Sequence, residues 1–133
     1  MIRQQFDVNG YWRVIVFYNA DYDFFYDIVK DLHQAGFPKD FIKEVMTVMY
    51  LSLVMAVTCS NVKEHISIII FNPHPDKQEY MNSIVHEAEH IKQAMLYAYQ
   101  VKDAGEPPAY TIGYLVGRMY EVFKDIVCDE CGY

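Results

Sequence analysis

The chain has 133 residues, 53% of them apolar and 16% aromatic, which excludes a disordered polymer and is enough to bury one core without disulfides. A formal charge of −7 leaves no basic stripe for a nucleic-acid backbone, so nucleic acid is not expected as a partner. Three cysteines, without the basic-then-apolar layout of a secretory leader, fit reduced thiols and a cytoplasmic protein.

Residues 11–18, YWRVIVFY, form a β-branched and aromatic run between Asn9-Gly10 and Asn19, which predicts a strand. From Asp21 to about Ala35 the pattern is helical, with Phe24, Phe25 and Ile28 inward, acids outward and Gly36 as the stop signal. Pro38 opens a second predicted helix, residues 38–57, apolar nearly all round beyond Glu44 and therefore expected in the middle of the domain. The uncharged run from Val45 to Val62 holds about fourteen truly apolar residues, too few for a membrane span, so it reads as buried helix.

A second strand is predicted in EHISIIIFN, with Ile66, Ile68 and Ile70 on one face and His65, Ser67 and Ile69 on the other. Its polar start suits a sheet edge. Asp76 and Glu79, three apart, read as a capping box that opens a long helix to about Asp103. Gly105-Glu106-Pro107-Pro108 interrupts that helix, and a last one runs from about Pro107 to Val127. The order β-α-α-β-α-α predicts a single α+β domain over residues 1–133, mostly helical with a small sheet.

The long helix carries His86, Glu87 and His90 in the pattern H-E-x-x-H. Residues four apart on a helix stand one above the other, so both imidazoles can reach one ion, while Glu87 lies beside them as a candidate general base. At 100° per residue, Met81, Ile84, Val85, Ala88, Ile91 and Met95 gather into one apolar stripe. His86 and His90 fall on roughly the opposite side, facing solvent or another element. Catalytic zinc usually takes three protein ligands, and two histidines leave that set incomplete.

On the last helix, Glu106, Tyr110, Gly113 and Gly117 share a face, and Ile112, Leu115, Met119, Val122 and Ile126 form a core stripe. The G-x-x-x-G spacing would admit a closely packed helix, which predicts Glu106 directed at the histidine pair. The simpler alternative is a glutamate favoured in a helix's first turn by the dipole.

Together, ISIIIF, VHEAEH and EPPAYTIG resemble the gluzincin-type zinc peptidases, and more closely the small zincin-like proteins of phages and gut bacteria. The resemblance covers roughly residues 55–125. It implies a zincin-like domain in which His86, His90 and Glu106 bind Zn2+, Glu87 is the base and Tyr110 is an oxyanion-stabilising or supporting group. It implies a peptide or protein substrate laid along an edge strand at residues 65–71. The alternative is a zincin-shaped module that binds a metal or a partner without catalysis; 133 residues leave little room for the second lobe that walls a peptidase cleft. Cys128-x-x-Cys131 lacks the other half of a zinc clasp, and it follows a predicted helix where a redox pair would open one. His33, His65 and His74 are expected at the surface or in loops, with His65 and His74 able to approach a substrate groove.

Overall fold

Two parallel strands occupy the centre of the sheet. The structure, a computed structural model, describes residues 1–127; Cys128 and Cys131 lie outside the described residues. Its elements are β1 (Ile2–Val8), β2 (Trp12–Tyr18), α1 (Phe25–Gln34), α2 (Lys39–Tyr50), β3 (Ala56–Asn61), β4 (Ile66–Phe71), α3 (Lys77–Tyr99) and α4 (Glu106–Ile126). The sheet order is β1-β2-β4-β3, with β2 and β4 parallel and both outer pairs antiparallel. The domain is α+β as expected, but the order is β-β-α-α-β-β-α-α, two strands more than the sequence pattern predicted.

The first added strand, β1, forms a hairpin with β2. Asn9 and Gly10 take φ values of 55° and 73°, the pair of positive angles that a type I′ turn requires. The second, β3, comes from the end of the run expected to be helix. That helix stops at Tyr50, Ser52 turns at φ 54°, and the chain re-enters the sheet at Ala56. Asn72 fixes this break: its side-chain amide donates to the carbonyls of Met49 and Val54, and its backbone N–H donates to Met55. The last turn of α2 and the loop after it are thereby tied to the end of β4.

With β3 outside it, β4 is not an edge strand. All six of its residues are buried, because a strand paired on both sides and covered by helices on both faces has no wet side. The edge beside α3 is β3.

Each face of the sheet carries its own apolar layer. Val14, Val16, Tyr18, Ile69 and Phe71 pack with Ile84, Ala88, Ile91 and Met95 of α3 and Leu115, Met119 and Phe123 of α4. Ile15, Phe17, Ile68 and Ile70 pack with Ile28 and Leu32 of α1 and Ile42, Val45 and Met49 of α2. The alternation expected for residues 65–70 holds. Phe24 and Phe25, expected inward, are exposed; a 3-10 turn at Tyr22–Phe24 precedes α1 and sets its phase so that Ile28 and Leu32 face the sheet. Val85 is likewise exposed. The Asp76 carboxylate caps α3 by accepting from the Glu79 N–H at 2.8 Å. Among the described residues no helix is long and apolar enough to cross a membrane.

One buried polar chain crosses the α3 side of the sheet. The Trp12 indole N–H donates to Ser67 Oγ at 2.9 Å, and Ser67 lies 2.7 Å from Ser60 Oγ. Ser67→Ala strips the fully buried indole of its acceptor, and the expected cost is about 1–3 kcal/mol, read as a lower urea midpoint. Ser60→Ala leaves the Trp12 bond intact and is expected to cost less.

Candidate metal centre

His86 and His90 stand one turn apart on the flank of α3 that faces β3. Their Nε2 atoms converge to 3.2 Å, with the rings edge to face at 4.8 Å. Two ligands 2.0–2.1 Å from one tetrahedral ion lie about 3.3 Å apart, so the imidazoles already hold the spacing that zinc requires. Two neutral rings in this arrangement can face each other only as one N–H donor and one bare acceptor nitrogen, and a cation held between them would need both nitrogens bare. The donor set fits zinc.

Glu87 points from the next position toward the sheet and is buried, with 4% of its surface exposed. Its Oε1 accepts from the Thr58 hydroxyl of β3 at 3.0 Å, and its Oε2 lies 3.8 Å from His86 Nε2. The ligand atoms of His86, Glu87 and His90 all fall within 4.8 Å of one another, and among the described residues this is the group able to hold a metal ion. An open groove of about 450 Å³ runs past them, walled by Val48, Val54, Ala56 and Val57 on one side and Ala94 on the other.

Glu106 and Tyr110 are elsewhere. They border a separate hollow with Ala109, Gly113 and Tyr114, and both are exposed. The reason lies in the turn between α3 and α4. Lys92, two residues and so about 200° around the helix from His90, pairs with Asp103 of the connecting loop at 3.0 Å, on the side of α3 away from the histidines. From there α4 packs over β1 and β2, where the Arg118 carbonyl accepts from the Gln4 amide and Tyr114 donates to the Asp7 carbonyl. The expectation that Gly113 and Gly117 admit a close helix fails. A Cβ added at either would meet nothing within 4 Å, because that face of α4 looks outward.

His74, expected at the surface or in a loop, lies in the loop between β4 and α3 but is buried, beside the site. Its ring stacks on Tyr80 at 4.3 Å, Nδ1 is 2.7 Å from the Asn72 carbonyl and Nε2 is 2.7 Å from Ser83 Oγ. A carbonyl only accepts, so in the neutral ring Nδ1 carries the hydrogen and Nε2 accepts from Ser83. Ser83 lies one turn before His86 and shares a hollow with it and Glu87. Cys59, on the opposite face of β3 from Thr58, is not a nucleophile at neutral pH, since burial, reinforced by the Glu87 charge, pushes its thiol up to about 12. Sequence reasoning missed Thr58 as the partner of Glu87, because no local pattern connects a residue inside an apolar run to a carboxylate 29 positions later.

Comparison of the chain with protein-family models, with curated proteins and with solved structures finds no match.

Two measurements probe this geometry. Thr58→Val removes a donor from a buried carboxylate and is expected to destabilise the metal-free protein by about 1–3 kcal/mol. In a Glu87→Gln background the same change should cost less, and a double-mutant cycle of urea midpoints reads the difference. Burial lowers the pKa of His74 from its ordinary 6.5, against the pull of the Asn72 carbonyl, Glu79 and Asp76. The unfolded ring therefore binds a proton that the folded ring resists, so stability is full above about pH 6.5 and falls as the pH drops below it, by at most about 1.4 kcal/mol per unit. Urea midpoints at pH 7.5 and 5.0 should differ less in His74→Phe than in the wild type.

Proposed function

We propose that the chain is a zinc-dependent, peptidase-like protein whose site is built on His86, Glu87 and His90. The observation that carries the reading is the 3.2 Å convergence of two imidazole nitrogens beside a buried carboxylate, on the flank of α3 that faces an open sheet edge. The zincin-like domain suggested by the motifs belongs to this proposal.

His86 and His90 would hold the ion through Nε2. Bound zinc supplies Lewis-acid polarisation of a carbonyl and a lowered pKa for water. Glu87 is placed to take a proton from the attacking water and return it to the leaving amine, and Thr58 keeps the carboxylate turned toward the histidines. The outer backbone of β3, residues 56–61, is the edge to which an extended peptide would add, in place of the 65–71 edge expected from the sequence. The apolar walls of the groove suit uncharged side chains. Glu106, on the far side of α3, and Tyr110 beside it have no part in this site.

A specific observation favours a second reading. Among the described residues Glu87 is the one carboxylate grouped with the histidines, and catalytic zinc usually takes three protein ligands. If Glu87 completes that set, no base remains and the domain binds metal without hydrolysis.

Zinc titration of the metal-free protein decides between them. His86→Ala and His90→Ala should each weaken zinc by more than the roughly 10–100-fold that an outer partner is worth, while Glu106→Ala stays within about twofold. Glu87→Gln should keep zinc and abolish cleavage of an unfolded protein substrate if Glu87 is the base. Loss of zinc in Glu87→Gln assigns it as a ligand, and failure of the wild type to bind zinc removes the centre.

A further inference from the structure

The face of the domain opposite the metal centre carries a concavity of its own. It lies in the hairpin of α1 and α2, has a volume of about 820 Å³, and is floored by Val29, Ile42, Met46 and Leu51. That volume falls in the range of small-molecule sites, which run from about 300 to 1,000 Å³ with a mostly apolar lining.

Its charge is one-sided. The chain holds 18 acidic and 11 basic residues, yet among the described residues the charged or titrating groups at this groove, tyrosines aside, are Lys39, Lys43 and His33, with no carboxylate. These three gather at one end. His33 closes α1, while Lys39 and Lys43 occupy the first turns of α2, whose positive dipole end adds to theirs. Among the described residues neither lysine has an ion-pair partner. The other end, reached after two further turns of α2 or about 12 Å, is aromatic and aliphatic: Phe25, Tyr50 and Leu51, all exposed.

We propose that this groove binds a single-chain amphiphilic anion of the fatty-acid type. The carboxylate sits between Lys39 and Lys43 at the start of α2, and the hydrocarbon chain lies along Val29, Ile42 and Met46 toward Leu51. The polarity of the groove selects this occupant. A neutral hydrocarbon would leave the cationic end unused, and an amphiphilic cation would meet like charge there. Each methylene buried along the groove tightens binding about fourfold, so affinity grows with chain length until the far end is reached.

The test is calorimetric titration of the full chain with laurate below its micelle concentration, with dodecylammonium in parallel. Saturable binding of one laurate per chain is expected, at least tenfold tighter than dodecylammonium. Laurate should shift backbone amide resonances of α1 and α2 and leave those around His86 unmoved. Lys39→Glu with Lys43→Glu should weaken laurate at least tenfold, and Met46→Trp, which fills the groove, should abolish binding. Should Met46→Trp not fold, Val29→Trp makes the same test from the other wall. Equal affinity for both amphiphiles, no saturation, or shifts centred elsewhere overturns the proposal. So does self-association through this face that laurate does not dissociate, or binding to phosphatidylglycerol vesicles that free laurate does not compete.

Discussion

The parallel pairing of β2 with β4 governs the layout of the whole domain. Parallel neighbours cannot be joined by a tight turn; the chain must leave the end of one strand and return to the start of the other. Here α1, α2 and β3 make that return, which puts the two helices on one face of the sheet and leaves the other face for α3 and α4. Because both central strands are covered twice, most of their side chains are apolar in both directions, Arg13 and Ser67 excepted, and the run from Ile68 to Phe71 serves two cores at once. The return also delivers β3 to the outer side of β4, so the sheet ends beside α3.

That placement brings the candidate centre together. On α3, Ala88 and Ile91 must face the sheet, and this rotation turns the His86–His90 flank toward the free edge and away from α4. Glu87 falls between the two directions, and a carboxylate in that position needs a donor to offset its lost hydration. Thr58 supplies it from β3. One hydrogen bond therefore joins the edge strand, the helix and the carboxylate that gives the motif its chemical interest.

Much of this was legible in the residues, and the rest was hidden for identifiable reasons. The α3 stripe, the Asp76 cap, the exposed histidine flank and the alternation of residues 65–70 follow directly from helical and strand periods. The strand β3 was concealed because an unbroken apolar run suits buried helix and buried strand equally, and the residue that ends the helix, Asn72, acts from beyond the next two strands. In β1 only Phe6 and Val8 are buried, so its signal was the Asn9-Gly10 pair rather than its own composition. Glu106 had the right residue type at a suitable spacing. Its direction depended on the side of α3 against which α4 packs, where Leu115, Met119 and Phe123 join the core and Lys92 pairs with Asp103 of the connecting loop, a placement that no periodicity reveals.

The two concavities share a wall. Val48 of α2 borders the groove beside the histidines, while Met46, Thr47 and Tyr50 of the same helix border the groove on the opposite face. Both walls depend on where α2 stops, and Asn72 holds that end through Met49 and Val54. The Tyr22 hydroxyl donates to the Asn72 side-chain oxygen, so the start of α1 is tied to the same residue. The His74 ring rests on the Asn72 carbonyl and hands its other nitrogen to Ser83 on α3. A single buried amide thus fixes the ends of α1 and α2, the loop that leads into the edge strand, and through His74 the first turns of the metal-bearing helix. The two faces are distinct in chemistry but are held in register by one residue at the end of the central strand.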